Sequence, residues 1–595
     1  MIAIHGQTLR RLTVAGFCAA LPVTSVAGSA WAGTKPIDDA AMARVGPGST
    51  GSPPEHPGHR TGDPAIGVTL ARRLPTLVSA VMASPREPAS QGIGAGQDEV
   101  IDELQRTLGL GRAQVIAFCR IIGEVGIAPW RMGETLADIT RRHRRLTMRV
   151  GGLPEQVAGT EEARADLAEA LDTGDLARAY RLVEEIGRAL QQSSPPSPGG
   201  AETVISEAMI QELRGEIAWA RLRYRQAADH FREAAARLPA DQAALRLRYL
   251  EQAAEALFGQ GADFGDNDAL AQSVRQYGLV AQERSRADDP LAWGTARNNL
   301  GKALWILGSR EESTTLLEQA VEAYRAALQT RTQARAPLHW AATQHNLGLG
   351  LSRLGLQTND MSLARQAAAV HRAVLGEQSR EETPLEWARS QAALGTALLR
   401  VGTRERSVQL LDEAAAAYRA ALDVRDRDRN PWEWAATRYN LGHVLLQLGW
   451  MTKDRQRLEE AVEAYRDALG EQVRERDPIA WAHAQTGLGA ALMTLDAMDR
   501  GTAGRLEEAV RTYRAALSVT DRHRNPLDWA RIQTNLGIAL RGLGLRQQQS
   551  SFLEEAVDAT RGAHEVYMDA GMVHLEAYFT DRIIDWEAEL AAVGK

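Results

Sequence analysis

The chain has 595 residues, of which 44% are hydrophobic and 24% are charged, and it carries a net charge of −7 with a pI near 6.1. This length is too great for one simple core and predicts several domains or a repeat array. The acidic balance argues against a nucleic-acid-binding surface. The two cysteines, Cys18 and Cys119, exclude a disulfide scaffold and a cysteine-based zinc cluster.

The N-terminus has the pattern of a secretory signal peptide over residues 1–32. Arg10 and Arg11 precede an apolar run that ends in the small-residue motif Ala30-Trp31-Ala32, which predicts cleavage before Gly33. The alternative is an N-terminal extension of a cytoplasmic protein. No other stretch approaches 18 uninterrupted apolar residues, so we expect a periplasmic or secreted protein with no membrane span after the signal.

Composition divides the next part of the chain into three segments. Residues 33–96 are rich in Gly, Pro, Ala and Ser, which predicts a mostly disordered leader with a possible short helix around "GVTLARRLPTLVSAVMA". Over 97–192, apolar residues recur at three- and four-residue spacing, which predicts an N-terminal helical module. Residues 193–206, which begin with "SSPPSPGG", have the composition of a linker.

Two features of the helical module could carry chemistry. The stretch "RRHRRLTMR", 141–149, is a basic helix face, which we expect to be solvated or paired within the protein; the alternative is contact with nucleic acid or lipid. Cys119 lies in the apolar run "VIAFCRII". It is therefore expected to be a core thiol, with a nucleophilic role as the alternative.

The C-terminal half repeats one pattern six times. Pro, Trp and a Leu-Gly pair recur at fixed offsets, as in "NPLDWARIQTNLG" and "NPWEWAATRYNLG". The tryptophans are 47 or 48 residues apart: Trp293, Trp340, Trp387, Trp434, Trp481 and Trp529. A second motif, such as "LLEQAVEAYRAAL", follows in step, with His371 in place of its tyrosine in one unit. Counting a degenerate first unit, which lacks the Pro and Trp, seven two-helix units span 243–571.

Each repeated residue has a structural explanation. Asn525 can cap a helix, and Pro526 fits the first helical position. The same start recurs as Asp289-Pro290, Thr383-Pro384, Asn430-Pro431 and Asp477-Pro478. Gly537 is expected to let the second helix approach closely. Each tryptophan is expected to pack between units, where its removal would cost about 3–5 kcal/mol if the ring is buried.

The spacing of Gly215, Ala227, Phe231, Ala234 and Pro239 resembles that of a tetratricopeptide repeat, and it defines a short unit over 207–240. The longer units resemble a bacterial tetratricopeptide group with "P-L-x-W-A-x-x-Q-x-N-L-G" repeats. The resemblance implies an all-α fold, a right-handed solenoid of helix-turn-helix repeats. The last segment, 572–595, is then a capping helix. The 97–192 module resembles the all-helical module that precedes such arrays in large bacterial proteins.

The same resemblance implies that the first helices line a concave groove that binds a protein or peptide. Groove positions are those that vary between units while the packing positions stay fixed. The candidate groove residues are Asn298, Asn299, Lys302, His345, Asn346, Arg353, Arg400, Tyr439, Asn440, His443 and Asn535. The basic members suit an acidic partner, and the asparagines could bond a peptide backbone. The alternative is an ordinary helical surface with hydrogen bonds between helices.

No catalytic, metal or cofactor motif stands out. "GLGLSRLG" lies inside a helix without a preceding strand, and Asp426, Asp428 and Asn430 lack the glycine and glutamate of a calcium loop. We therefore expect a non-enzymatic interaction scaffold that needs no cofactor and no metal and binds no nucleic acid. The alternative is a sensor or regulatory subunit of a bacterial signalling or defence system whose effector is on another chain.

Overall fold

A computed structural model describes residues 68–83, 95–151, 161–193, 201–428, 431–471, 474, 477–499 and 503–593. These residues form 23 α-helices and no strand, and successive helices pack in turn, so the all-α, repeat-based fold class is confirmed. The chain divides into an N-terminal unit that ends at Asn346 and a C-terminal unit that starts at Leu347. The predicted signal peptide, its cleavage site and the cap at Asn430 lie outside the described residues.

The N-terminal unit begins with a helical module. Its helices are α1 (Val68–Ala83), α2 (Ala95–Leu108), α3 (Arg112–Val125), α4 (Met132–Gly151), α5 (Glu161–Asp172) and α6 (Leu176–Ser193). Leu74 and Leu77 of α1 are fully buried in one hydrophobic core with Phe118 and Cys119 of α3. The predicted leader, 33–96, therefore contains an ordered helix, because the apolar residues of α1 form one face that packs on α3. Burial raises the pKa of the Cys119 thiol to about 12, so the prediction of a core thiol is confirmed.

The repeats of the N-terminal unit follow directly. They comprise α7 (Ala201–Ala220), α8 (Tyr224–Arg237), α9 (Ala243–Phe264), α10 (Asn267–Glu283), α11 (Pro290–Arg310), α12 (Thr314–Leu328) and the first half of α13 (Pro337–Thr358). Because α7 begins at Ala201, the linker is shorter than the predicted 193–206. In the short unit, a Cβ on Gly215 would lie 2.8 Å from the Phe231 ring, so the family spacing corresponds to a real close approach of α7 and α8.

The C-terminal unit contains the rest of α13 and ten further helices. They are α14 (Met361–Leu375), α15 (Pro384–Glu405), α16 (Val408–Leu422), α17 (Pro431–Thr452), α18 (Arg455–Glu471), α19 (Pro478–Asp499), α20 (Ala503–Leu517), α21 (Pro526–Gln547), α22 (Ser550–Asp569) and α23 (Glu576–Val593). The last helix packs on α22 and buries Phe579 and Trp586. We call the six helices that start with proline, α11 to α21 in odd numbers, the first helices, and their successors the second helices.

The proline starts are capped in two different ways. The Asp289 and Asp477 carboxylates each accept a hydrogen bond from the backbone N–H three residues on, at 3.1 and 2.9 Å, as predicted. Thr383 and Asn525 make no side-chain cap, so the prediction is wrong for them. The Thr383 hydroxyl instead donates to the backbone oxygen of Ser379 in the preceding turn, which leaves it turned away from the helix end.

The glycine of each Leu-Gly pair brings its second helix into contact. A Cβ on Gly301 would lie 2.6 Å from the ring of Tyr324, and one on Gly537 would lie 2.7 Å from Thr560 Oγ1. The same approach recurs as Gly348 with His371, Gly395 with Tyr418, Gly442 with Tyr465 and Gly489 with Tyr513. The prediction of a close-approach glycine is confirmed, and its usual partner is the aromatic ring of the second motif.

The repeated tryptophans are less buried than the sequence implied. Trp293 is 8% exposed, whereas the other five are half-buried. In five of the six units an arginine seven residues earlier lies over the indole, with its guanidinium carbon 5.2–5.5 Å from the ring centroid. The cost of 3–5 kcal/mol assumed full burial, so we expect less for the five half-buried rings. Cation–π contact with these arginines shields part of the ring surface that helix packing leaves exposed.

Ion pairs join successive second helices in the C-terminal unit. The arginine that directly follows the aromatic residue of the second motif (His371 in one unit, tyrosine in the others) reaches a glutamate of the next second helix, which makes a ladder of four rungs. The rungs are Arg372–Glu413 at 2.5 Å, Arg419–Glu460 at 2.7 Å, Arg466–Glu508 at 2.8 Å and Arg514–Glu555 at 2.6 Å. These side chains are largely exposed, so each rung contributes little on its own.

In two of the connecting turns, the arginine six residues before the first-helix proline is buried. Arg331 is fully buried and donates to Thr343 Oγ1 at 3.0 Å and to Thr295 Oγ1 at 2.5 Å. Arg425 occupies the same offset and donates to Thr437 Oγ1 and the Glu433 backbone oxygen. These two arginines, which we call the turn arginines, tie the connection to the helix that follows.

The burial of His371 predicts that the free energy of unfolding depends on pH. It is fully buried, and burial lowers its pKa to about 4. The unfolded chain takes up the proton near pH 6.5, well before the folded chain does. Stability is therefore complete above about pH 6.5 and falls as the pH drops towards 4, by roughly 2 kcal/mol per histidine between pH 7 and pH 5.

The substitution His371→Phe is expected to reduce that loss, because it removes the titrating group and keeps an aromatic ring against Gly348. The measurement is urea unfolding of the full chain at pH 7 and pH 5. The control is His523→Gln in an exposed turn. An unchanged difference between the two pH values in the His371 variant would contradict the prediction.

Candidate functional site

All eleven predicted groove residues lie on first helices. Asn298, Asn299 and Lys302 are on α11, His345, Asn346 and Arg353 on α13, Arg400 on α15, Tyr439, Asn440 and His443 on α17, and Asn535 on α21. We call this set the first-helix surface. Its members in the two units are described separately, and they differ in how far solvent can reach them.

In the N-terminal unit, two of the asparagines bind each other. Asn346 Nδ2 donates to Asn298 Oδ1 at 3.1 Å and so joins α13 to α11. Both residues are buried, as is His345. Asn298 also donates to Asn299 Oδ1 at 3.3 Å, and Asn299 alone of these four remains half-buried. This part of the surface therefore contains hydrogen bonds between helices, which was the alternative prediction.

The basic members have contacts inside the protein. Arg400 donates to the backbone oxygens of Ser352 and Gly355 at 3.2 and 2.5 Å, near the end of α13. Burial lowers the pKa of its guanidinium to about 10, against the opposing charge of Asp360. The Lys302 ammonium lies 5.1 Å from the centroid of the Phe258 ring and is buried. Arg400 thus serves as a cap on the helix C-terminus, where a cation is favoured.

Three first helices of the C-terminal unit bring together a polar cluster. Tyr439 and His443 lie on α17, His483 on α19, and Asp528 and Arg531 on α21. His483 Nε2 is 3.3 Å from Asp528 Oδ2, and Arg531 donates to Asp528 Oδ1 at 3.0 Å. Tyr439 and His443 were predicted from the sequence, whereas the other three residues were not.

The charges of the polar cluster are coupled. Burial alone would raise the pKa of Asp528, but the hydrogen bond from His483 and the charge of Arg531 hold it well below its usual value. Burial, together with the charges of Arg531 and His483, lowers the pKa of His443 to about 4. Near neutral pH the cluster therefore holds an ionised Asp528 and a neutral His443. A neutral imidazole both donates and accepts a hydrogen bond.

The residues of the first-helix surface in the C-terminal unit differ in their exposure to solvent. Arg353, Asn440 and His443 are half-buried, whereas Tyr439 and Asn535 are buried. The Nδ1 atom of His443 is buried and has no hydrogen-bond partner among the described residues. A buried polar atom without a partner costs free energy. The Nδ1 atom of His443 is therefore an unsatisfied polar group of the first-helix surface.

Two further observations concern membranes and metals. Among the described helices, none is both long and apolar enough to span a bilayer. In the same part of the chain, no group of three or more His, Cys, Asp or Glu side chains is placed to hold a metal ion. The alternating Asp426 and Asp428 instead shape a turn, in which Asp426 Oδ1 accepts the Asp428 N–H at 2.7 Å.

Comparison with known proteins gives one family match. The tetratricopeptide repeat profile matches residues 293–332 and 340–381, which cover much of α11 to α14. No curated protein matches the sequence.

Several solved structures are similar at low identity. A Rap protein complexed with competence and sporulation factor is 14% identical, with 73% of this chain and 100% of that chain covered and a TM-score of 0.29. A signal transduction ATPase with numerous domains and a tetratricopeptide repeat sensor, from Pyrococcus horikoshii, is 12% identical, with 79% and 75% covered and a TM-score of 0.39. Yeast Tom70 is 11% identical, with 76% and 86% covered and a TM-score of 0.28. Values this low say nothing about the partner or activity of this chain.

Proposed function

The chain is a tetratricopeptide repeat protein, and from that premise we propose that it is a protein-interaction scaffold that binds a partner segment on the first-helix surface of its C-terminal unit. The packing positions, glycine against aromatic ring, repeat from unit to unit. The first-helix positions two residues beyond the repeated leucine instead change from Leu349 to Thr396 to His443. Variation on a constant frame is what a specific binding surface requires.

His443 is the observation that carries the proposal. Its Nδ1 atom has no partner among the described residues, and its neutral ring can take a hydrogen bond from, or give one to, a peptide backbone. Asn440 lies one turn away on the same helix and offers an amide donor and acceptor. Arg353 supplies the basic group for an acidic side chain or a chain terminus. Arg400 is better explained by its bonds to α13, so it is not included in the proposed contact.

Site-specific photo-crosslinking tests this surface. A benzophenone amino acid placed at position 443 or 353 is expected to give the same protein adduct in cells of the native host. The matched control is position 463, where Glu463 is exposed on the second helix α18. The adduct should be absent there. No adduct from 443 or 353, or the same adducts from all three positions, would contradict the proposal.

We propose that the chain is exported and cleaved before Gly33. Its partner would then be an envelope or secreted protein. Envelope and cytoplasmic fractions are therefore compared in the crosslinking experiment, together with the N-terminal residue of the recovered protein. A chain that starts at Gly33 in the exported fraction supports export. A chain that keeps Met1 in the cytoplasm overturns that assignment and leaves the crosslinking result to be judged by itself.

A further inference from the structure

The basic helix α4 is paired within the protein. Arg142 Nε lies 2.9 Å from Asp138 Oδ2 one turn earlier, and Arg149 forms an ion pair with the buried Glu212 of α7. The expectation of a solvated or internally paired face is thus confirmed for these two arginines. Arg145 lies between them on the same side of α4. It is exposed and makes no ion pair among the residues that the structure describes.

A pocket of about 200 Å³ separates α4 from α7 and α9, all in the N-terminal unit. Arg145, Arg149 and Leu146 line one wall. Glu216 of α7 and Glu255 of α9 line the other. The volume is below that of pockets for drug-sized ligands, so it suits a small molecule. Opposite charges on the two walls suit a molecule that itself carries both charges.

Each wall keeps one charged group that makes no ion pair among the described residues. The Arg142 guanidinium stacks 3.8 Å from the centroid of the Trp219 ring and bonds Asp138, and its charge also attracts Glu216 and Glu255 on the opposite wall. On the opposite wall, Glu216 accepts a hydrogen bond from Gln252 Nε2 at 3.1 Å and makes no ion pair within the described part of the chain. These two lining groups are therefore the Arg145 guanidinium and the Glu216 carboxylate, neither of which makes an ion pair among the described residues.

Two buried atoms of the lining add a donor and an acceptor. The Nε1 atom of Trp219 and the Oε1 atom of Gln252 have no hydrogen-bond partner among the described residues. Because Gln252 Nε2 is bonded to Glu216, its oxygen points elsewhere. Leaving such atoms unpaired is costly, and native proteins rarely do so without a reason. Trp219 and Gln252 both line the pocket, so a polar occupant could supply their missing hydrogen bonds.

We propose that this pocket binds a free α-amino acid. Its carboxylate pairs with Arg145 and accepts the Trp219 indole N–H. Its ammonium pairs with Glu216 and donates to Gln252 Oε1. Leu146 offers apolar surface for the side chain of the ligand. The pocket is formed by the helical module together with the first repeats, so it lies apart from the surface proposed above and does not depend on that assignment.

Calorimetric titration of the full chain with each of the twenty free L-amino acids tests the proposal. At least one is expected to bind saturably. Its N-acetyl form, which lacks the ammonium, and its amide form, which lacks the carboxylate, are each expected to bind at least about tenfold more weakly, since each loses a charge-assisted hydrogen bond. No binding by any free amino acid would overturn the proposal, as would equal binding of either blocked form.

Two variants test which residue pairs with the carboxylate of the ligand and which pairs with its ammonium. Arg145→Gln is expected to weaken binding by about tenfold or more and to bind the amino acid and its amide alike. Glu216→Gln is expected to bind the amino acid and its N-acetyl form alike. The control is Arg188→Gln on the exposed side of α6, which should bind as the unaltered protein does. If Arg145→Gln proves unstable, Arg145→Lys keeps the charge and should retain discrimination against the amide. Loss of that discrimination in Arg188→Gln, or its retention in Arg145→Gln, contradicts the assignment.

Discussion

Replacement of Arg331 by alanine is expected to lower the free energy of unfolding of the repeats around it by about 3–5 kcal/mol, the range for truncating a large buried side chain. The side chain is fully buried and bonds Thr343 and Thr295, which lie on different first helices. Its loss leaves a cavity and releases the turn between α12 and α13. Amide hydrogen exchange of α11 and α12 measures the effect locally, which suits a repeat array that need not unfold in one step.

Two companion variants separate the causes. Arg331→Met keeps most of the volume but removes the charge, so it is expected to cost much less than the alanine variant. Arg335→Ala, in the exposed part of the same turn, is expected to change stability by no more than about 0.5 kcal/mol. An alanine variant at Arg331 that exchanges like the Arg335 variant would show that the turn does not depend on the buried arginine.

Gly301→Ala is expected to destabilise the same region by about 1–3 kcal/mol, the usual cost of overpacking a filled core. The added Cβ would lie 2.6 Å from Tyr324 Cε1 and 2.8 Å from Cδ1. That ring is fully buried and cannot move aside without displacing its neighbours. The gain in helix propensity from glycine to alanine, about 1 kcal/mol, offsets only part of the cost.

Gly278→Ala is the matched control for this second variant. Gly278 also lies within a helix, α10, but a Cβ there has nothing within 4 Å. It is therefore expected to stabilise the protein by up to about 1 kcal/mol. Combining Gly301→Ala with Tyr324→Leu should cost less than the sum of the two single changes, because the smaller side chain makes room for the methyl group. Equal effects at Gly301 and Gly278 would contradict the close-approach role.

The repeated offsets predicted the parts of the fold that depend on short-range geometry. Proline occupies the first position of every first helix, and glycine at the Leu-Gly pair is needed because a ring such as Tyr324 lies against it. Both constraints act between residues at constant separation, so they can be read from one sequence. The side-chain caps were less predictable. Thr383 has a suitable hydroxyl, but an equally suitable acceptor lies in the preceding turn.

The buried polar contacts were missed for a different reason. Arg331 and Arg425 stand six residues before a first-helix proline, whereas glutamine occupies that offset at Gln378. A pattern that changes between units is easily taken for solvent-exposed variation. Similarly, Asn298 and Asn346 were read as groove residues, yet they bind each other. Sequence periodicity shows which side of a helix a residue occupies but not whether another helix already covers it.

The candidate sites required the structure for the same reason. The arginines of α4 were visible in the sequence as one basic run. Only the packing shows that Arg149 forms an ion pair with Glu212. It also shows that Arg145 lies beside a pocket whose other wall is acidic. His443 was selected from its variable position, but His483 and Asp528 come from other units. These residues come together only because of how successive first helices align with one another.

The ladder from Arg372–Glu413 to Arg514–Glu555 has a mechanical consequence. Every rung joins only adjacent second helices, so a pulling force applied along the C-terminal unit loads the rungs in series. The unit then yields one helix pair at a time, and each released pair of about 47 residues adds roughly 150 Å of slack chain. Such a structure behaves as a tether of re-formable links that are held mainly by packing between helices, and the ion pairs add only a small contribution that salt weakens.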